Sequence, residues 1–143
     1  MSDIPCSIFF HNYYGQHDKW MKLFSENLRV PFNLFYNIVE DSIYTLEEND
    51  REAESFSSAY HGKYLQNLIV CKSSNQGKDL GGKMVMMDAY LNSRLSTEYI
   101  LFIQDKQSPY KIQNEEWKKK LFRIIEPSFI DEWRKGIFYK LRL

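Results

Sequence analysis

Residues 68–83, LIVCKSSNQGKDLGGK, join the most strand-like run of the chain to a glycine-rich connection and the start of a helix. The first four residues are all apolar, which indicates a buried strand, because a strand of a parallel sheet is covered on both faces. The connection at 73–82 contains three glycines, and a helix is expected from about Lys83 to Leu91 or Leu95. A strand that leads through a loop into a helix is the repeating unit of an α/β fold.

The same alternation recurs along the rest of the chain. Short apolar runs predict further strands at 7–10, 32–39 and 99–103. Helical spacing of apolar residues predicts helices at 17–28, from about 53 or 55 to 65, at 115–125 and after Pro127. Right-handed crossovers between such strands would give a doubly wound, mainly parallel sheet. The fold class expected is therefore α/β and Rossmann-like, in a single domain spanning 1–143.

Composition and charge limit the classes of function. The chain has 143 residues with 19 basic and 19 acidic side chains, so no global charge draws it toward nucleic acid. Its apolar runs are far shorter than the ~20 residues that cross a bilayer, and its start lacks the features of a secretory signal. Cys6 and Cys71 each lie beside a predicted strand and are expected to be buried, reduced thiols. We expect a cytoplasmic protein.

Polar segments follow each of the four predicted strands. In a doubly wound sheet the strand-to-helix loops meet beyond the carboxyl ends of the strands, and ligands bind there. The segments expected to form such a site are 11–14, 40–42, 74–82 and 104–106. Within it, Asp105 should share a crevice with Asp79 and His11, with its carboxylate directed toward the 74–82 loop.

The glycine-rich loop and Asp105 each allow two interpretations. Glycines before a helix start can bring backbone N–H groups close to a phosphate, or can simply permit a flexible connection. The spacing from Gly77 to Lys83 matches a P-loop, but Met84 stands where that motif needs a Ser or Thr for magnesium. Asp105 could ligate Mg²⁺ or Mn²⁺ beside nucleotide phosphates, or could be a turn or capping residue.

These motifs, taken in order, resemble family 2 glycosyltransferases and, more closely, the rhamnan-synthesis glycosyltransferases. The resemblance covers residues 7–125. It rests on His11 with Tyr13-Tyr14, Phe32-Asn33-Leu34-Phe35, Asn75-x-Gly77-Lys78-Asp79-Leu80-Gly81-Gly82, Glu98 to Ile103 followed by Gln104-Asp105-Lys106-Gln107-Ser108-Pro109, and Trp117. It implies a glycosyltransferase A-type fold that binds a nucleotide-activated sugar and extends a cell-surface polysaccharide on a polysaccharide or lipid-linked acceptor.

The resemblance also implies a set of nucleotide-sugar-binding residues. They are His11, Asn75, Gly77, Lys78, Asp79, Gly81, Asp105 and Lys106. Asp105 and Lys106 would lie near the phosphates. The chain departs from the family pattern where Lys78 replaces Arg, Asn33 replaces an acid and Gln104 replaces His. Because Gln104 and Lys106 also replace both flanking acids of the family 2 metal motif, dependence on Mg²⁺ or Mn²⁺ stays open, and no catalytic residue is identified.

Alternatives to a complete enzyme stay open. The chain ends where such enzymes begin the acceptor-binding half, so we expect only the N-terminal donor-binding half, as part of a truncated, split or inactive enzyme. A non-catalytic α/β module that binds a nucleotide or a protein partner is the second hypothesis. The basic and aromatic segment 133–143 either packs on the domain's own sheet or makes peripheral membrane contact at the inner face of the membrane.

Overall fold

A computed structural model describes residues 4–42 and 63–105 of the chain. Its elements in chain order are β1 (Cys6–Asn12), α1 (His17–Asn27), β2 (Phe32–Val39), β3 (Leu65–Ser73), α2 (Lys78–Ser93) and β4 (Tyr99–Gln104). All four strands predicted from apolar runs are present, and α1 falls within one residue of its predicted bounds. Neither helix of the described residues is long and apolar enough to cross a membrane.

The four strands form one parallel sheet in the order β3-β2-β1-β4. In the centre of the sheet, Phe9 of β1 stands opposite Phe35 of β2 on one side and Phe102 of β4 on the other. Successive strands β1, β2 and β3 are added in one direction, and β4 then pairs on the opposite side of β1. The expected α/β, Rossmann-like fold is therefore confirmed, with the strand order reversing between β1 and β4.

The two helices cover opposite faces of this sheet. On one face, Trp20, Met21 and Phe24 of α1 pack against Phe10, whose ring centroid lies 4.6 Å from that of Trp20. On the other face, Met86 of α2 joins a smaller cluster that includes Phe9, Phe35 and Cys71. The sheet is apolar on both sides because both sides are covered, which is why its strands appear in the sequence as continuous apolar runs.

Two predicted helix boundaries are wrong. Helix α2 begins at Lys78 and not near Lys83, so the predicted 73–82 loop shrinks to the short connection before Lys78, and Gly81 and Gly82 are helical. Leu65, predicted to end a helix, is instead the first residue of β3 and pairs with Phe32. Residues 63 and 64 of that predicted helix form a bend, and the part before residue 63 lies outside the described residues. The predicted helices at 115–125 and after Pro127 also lie outside them, as do Lys106, Trp117 and the segment 133–143.

Both cysteines are buried and free, as expected of small apolar side chains. Burial raises the pKa of Cys6 to about 12 and that of Cys71 to about 11. Because the thiolate is the reactive form, we expect neither thiol to react with an aromatic disulfide reagent at pH 8 in the folded protein. Both should react within minutes after addition of denaturant, which serves as the control. Rapid labelling of the folded protein would contradict the burial of these strands.

Candidate functional site

A cleft of about 300 Å³ opens at the carboxyl edge of the sheet. Its lining residues come from the end of β1, the end of β4 and the beginning of α2: His11, Tyr13, Tyr14, Asn75, Lys78, Asp79, Gln104 and Asp105. Strands β1 and β4 are the neighbours between which the strand order reverses. Ligands of doubly wound sheets bind at this switch point, because the loops of the flanking strands diverge there and leave a crevice.

Most of the residues assigned from the sequence meet in this cleft. Those brought together are His11, Asn75, Lys78, Asp79 and Asp105. Gly77 and Gly81 do not line it, and Lys106 lies outside the described residues. Asp41 of the segment 40–42 does not line the cleft but contacts a residue that does. Its Oδ1 accepts a hydrogen bond of 2.6 Å from the Asn75 backbone N–H. The two tyrosines and Gln104 line the cleft without having been assigned as binding residues.

Asp105 is only 8% exposed and ties β4 to the loop that follows β1. Its Oδ1 accepts a hydrogen bond from the Tyr13 N–H at 2.8 Å, and its Oδ2 accepts one from the Tyr14 N–H at 2.7 Å. Its own N–H donates to the carbonyl oxygen of His11 at 3.1 Å. The carboxylate therefore supports the 13–14 loop, because the N–H groups of a tight turn need acceptors. As expected, Asp105 shares a cleft with His11 and with Asp79 of the 74–82 segment.

A cation at Asp105 would have to share these oxygens. Both carboxylate oxygens already accept backbone hydrogen bonds, and a hard cation such as Mg²⁺ needs several oxygen ligands. Within 4–42 and 63–105, no group of three or more His, Cys, Asp or Glu side chains could hold a metal ion. Further oxygens would have to come from other groups, such as a bound phosphate, water or the amide side chains of Asn75 and Gln104 in the cleft. Dependence on Mg²⁺ or Mn²⁺ stays open.

The loop after β1 is fixed by hydrogen bonds on several sides. The side chain of Asn12 accepts from the Gly15 N–H at 2.7 Å and donates to the Gly15 carbonyl and to the Tyr36 hydroxyl, both at 2.8 Å. Gly15 has a φ of 74°, which favours glycine. The rings of Tyr13 and Tyr14 meet edge to face, with centroids 4.9 Å apart. The cleft thus has an aromatic wall whose backbone is held in place.

The opposite wall is the beginning of α2. Gly77 is the N-cap and provides no side-chain acceptor for the N–H groups of the first turn. A Cβ at Gly77 would lie 2.7 Å from the Cα of Gly81, so a larger residue does not fit. Lys78 has a φ of 48°, in the left-handed region that Lys rarely adopts. The Lys78 N–H donates to the Asn75 carbonyl oxygen at 3.1 Å. The positive end of the helix dipole, without a side-chain cap, makes this wall attractive to an anion.

His11 forms the floor of the cleft with side chains that were not singled out from the sequence. It is 5% exposed, and its Nδ1 lies 3.0 Å from Nδ2 of Asn37, which also donates to Ser73 Oγ at 2.8 Å. Gly82 covers the ring, since a Cβ there would lie 2.0 Å from Nδ1. Burial lowers the pKa of His11, Asp79 raises it and Lys83 lowers it further. In the sequence, the glycine pair at 81–82 beside the predicted helix was the one signal of such close packing.

No protein-family model matches the chain, and searches of curated proteins and of solved structures found no match.

Proposed function

We propose that this domain binds the nucleoside diphosphate part of an activated sugar, as the donor-binding part of a glycosyltransferase of cell-surface polysaccharide synthesis. One observation supports this most directly. The cleft at the β1–β4 switch point brings an uncapped helix beginning, with Lys78, opposite the paired rings of Tyr13 and Tyr14. A phosphate would contact the helix side of the cleft, and a sugar or base joined to it would pack on the tyrosine rings.

The helix side of the cleft suits a diphosphate. Gly77 gives the beginning of α2 no side-chain cap, and the Lys78 side chain adds a full positive charge there. The Lys78 backbone N–H itself donates to the Asn75 carbonyl oxygen at 3.1 Å. An anion at such a position is stabilised by typically 0.3–1 kcal/mol from the helix dipole alone, and more where the site is partly buried. Asn75 sits in the connection just before the helix, where its amide can donate to a phosphate oxygen.

The tyrosine side suits the sugar or the base. Flat apolar faces of pyranose rings and of nucleobases pack on aromatic rings, and a tyrosine hydroxyl adds a hydrogen bond at the edge. Asp79 is exposed in the same cleft and carries acceptors for sugar hydroxyl groups. On this proposal a polysaccharide or lipid-linked acceptor would approach the donor from the open side of the cleft.

Calorimetric titration with a panel of nucleoside diphosphates, with and without Mn²⁺, tests the proposal. We expect at least one member to bind, and Lys78→Ala to weaken its binding about tenfold through loss of a charged hydrogen bond. Lys22→Ala is the matched control, because Lys22 lies exposed on α1 and pairs with Glu26 away from the cleft. Absence of binding by every nucleotide, or equal loss in both variants, would overturn the proposal.

The backbone conformation of Lys78 leads to a second expected result. Lys78→Gly should raise the free energy of unfolding by about 1 kcal/mol, because glycine adopts a positive φ without the steric cost that a Cβ imposes. The same change should weaken nucleotide binding, since it removes the positive charge. Urea unfolding and calorimetry measure the two effects on one protein sample.

Arg94→Gly provides the matched control for that experiment. Arg94 follows the other end of α2 with a φ of 59° and does not line the cleft. It should show the same gain in stability with unchanged nucleotide affinity. A Lys78→Gly protein that is less stable than the parent would show that this conformation is not strained.

A non-catalytic module that binds a protein partner is the second candidate, and one observation favours it. Leu80, Met84 and Leu91 lie along α2 and are between 66% and 70% exposed. Large apolar side chains in such a row are typical of surfaces that a partner covers. Because none of them lines the cleft, Met84→Gln should leave nucleotide binding unchanged. A domain that binds none of the nucleotides would favour this second role.

A further inference from the structure

The side chain of Asn37 stands between two partners beneath the beginning of α2. Its Nδ2 lies 3.0 Å from His11 Nδ1 and 2.8 Å from Ser73 Oγ, while its Oδ1 is buried without a hydrogen-bond partner. Asn37 itself is fully buried in β2 and pairs in register with His11 of β1. The register of β1 and β2 places Asn37 beside His11.

This geometry favours one of the two nitrogens of His11 as the carrier of the proton. With the amide NH₂ of Asn37 between His11 and Ser73, both of its N–H groups are satisfied and only one carbonyl oxygen lacks a partner. The reverse orientation would bury two N–H donors without acceptors, which is the costlier arrangement because orphaned donors are rarer than under-satisfied acceptors. With the amide in this orientation, Nδ1 accepts from Asn37 and the proton of the neutral ring is on Nε2.

The surroundings of the ring favour its neutral form. Gly82 lies directly against the Nδ1–Cε1 edge, and the ring is almost completely buried. Protonation of Nδ1 would place an N–H against the N–H of Asn37. The charged groups that face His11 are Asp79, which favours the imidazolium, and Lys83, which opposes it, with Lys78 and Asp105 in the same cleft. The neutral ring of His11 can thus donate a hydrogen bond without being protonated to the imidazolium.

We propose that Asn37 is a positioning residue that fixes the tautomer of His11, so that His11 presents its Nε2–H to a phosphate oxygen of the ligand in the cleft. The identity of the ligand rests on the proposed function, whereas the tautomer rests only on the contacts of Asn37. Nδ1 is occupied by Asn37, so Nε2 is the nitrogen available to the cleft that His11 lines. The Nε2–H of the neutral ring stays a donor at neutral and alkaline pH, where an imidazolium would lose its second proton and its charge.

The tautomer can be measured in the unmodified protein by long-range proton–nitrogen NMR spectra of the histidine rings. We expect a pyridine-type shift for Nδ1 of His11 and a pyrrole-type shift for Nε2 at pH 7.5. His17→Gln and His61→Gln assign the signals. Addition of inorganic pyrophosphate should shift the His11 Nε2–H resonance. A pyrrole-type Nδ1 overturns the role of Asn37, and an Nε2–H resonance that saturating pyrophosphate leaves unmoved overturns the contact with phosphate.

Asn37→Asp tests the positioning role through a pH profile. A carboxylate at this position accepts a hydrogen bond from Nδ1–H, so it should raise the pKa of His11 and move the proton of the neutral ring to Nδ1. Above that raised pKa the Nε2–H donor is lost. The affinity of the variant for pyrophosphate should fall at least about fivefold, relative to the parent protein at the same pH, as pH rises from 7 to 9. Comparison at each pH cancels the titration of pyrophosphate itself.

Asn33→Asp is the matched control. Asn33 is equally buried in β2 at the opposite end of the sheet, where Asn67 donates to its Oδ1. A general effect of a buried acid would appear in both variants, whereas only Asn37→Asp should change the pH profile; parallel profiles overturn the inference. If Asn37→Asp does not fold, the NMR measurement of the His11 tautomer in the unmodified protein decides whether the inference stands. Pyrophosphate that contacts His11 while no nucleoside diphosphate binds would overturn the proposed function and leave this inference standing.

Discussion

Replacement of Gly82 by alanine is expected to destabilise the domain by at least about 3 kcal/mol, the upper range for overpacking a core. A Cβ at this position would lie 2.0 Å from Nδ1 and 2.5 Å from Cε1 of His11, and 2.9 Å from Nδ2 of Asn37. The neighbours cannot yield easily, because His11 and Asn37 are buried side chains on adjacent central strands. Helix α2 would have to move away from the sheet and open the cleft.

Gly81→Ala is the control for this result, and it should have the opposite sign. A Cβ at Gly81 would meet no atom within 4 Å, and alanine is favoured over glycine inside a helix by about 1 kcal/mol. Urea unfolding of the two variants measures the difference, and near-ultraviolet circular dichroism reports whether the aromatic core stays packed. Equal stability of the two variants would contradict the close approach of α2 to His11.

The same glycine pair explains why the beginning of α2 was predicted five residues too late. Glycine has low helix propensity, so Gly81 and Gly82 favoured a loop when the sequence was considered alone. The benefit of Gly82 comes from a contact with β1 and β2, which local propensity does not contain. The strands, by contrast, follow from short apolar runs such as 8–10, because burial on both faces leaves no polar alternation to misread.

The position of the cleft could be predicted from the sequence, whereas the side-chain contacts within it could not. Parallel strands bring the residues that follow them to one edge, which is enough to place His11, Asp79 and Asp105 near one another. The partners of those residues depend on register. Asn37 lies inside an apolar strand, and only its pairing with His11 across the sheet gives it a place in the site. Asn33 is also an asparagine of β2, but it lies at the end of the strand away from the cleft.

Asp105→Asn is expected to cost about 3 kcal/mol of the free energy of unfolding. The carboxylate accepts two short hydrogen bonds from the N–H groups of Tyr13 and Tyr14 in a partly buried site, and hydrogen bonds to a charged acceptor are worth about 1.5–3 kcal/mol each. An amide keeps one acceptor oxygen but turns an NH₂ group toward the second backbone N–H. One donor is then left without a partner, and two donors oppose each other.

Asp79→Asn is the control that separates charge in the cleft from support of the loop. Asp79 lines the same cleft but is exposed in the first turn of α2, where loss of a carboxylate costs about 0.3–1 kcal/mol through the helix dipole. Hydrogen exchange should show the amides of Tyr13 and Tyr14 protected in Asp79→Asn and rapidly exchanging in Asp105→Asn. If both variants unfold at the same urea concentration as the parent protein, Asp105 does not hold this loop. If instead only Asp105→Asn loses both stability and nucleotide affinity, the carboxylate contributes to binding by fixing the tyrosine wall, without itself having to contact the ligand.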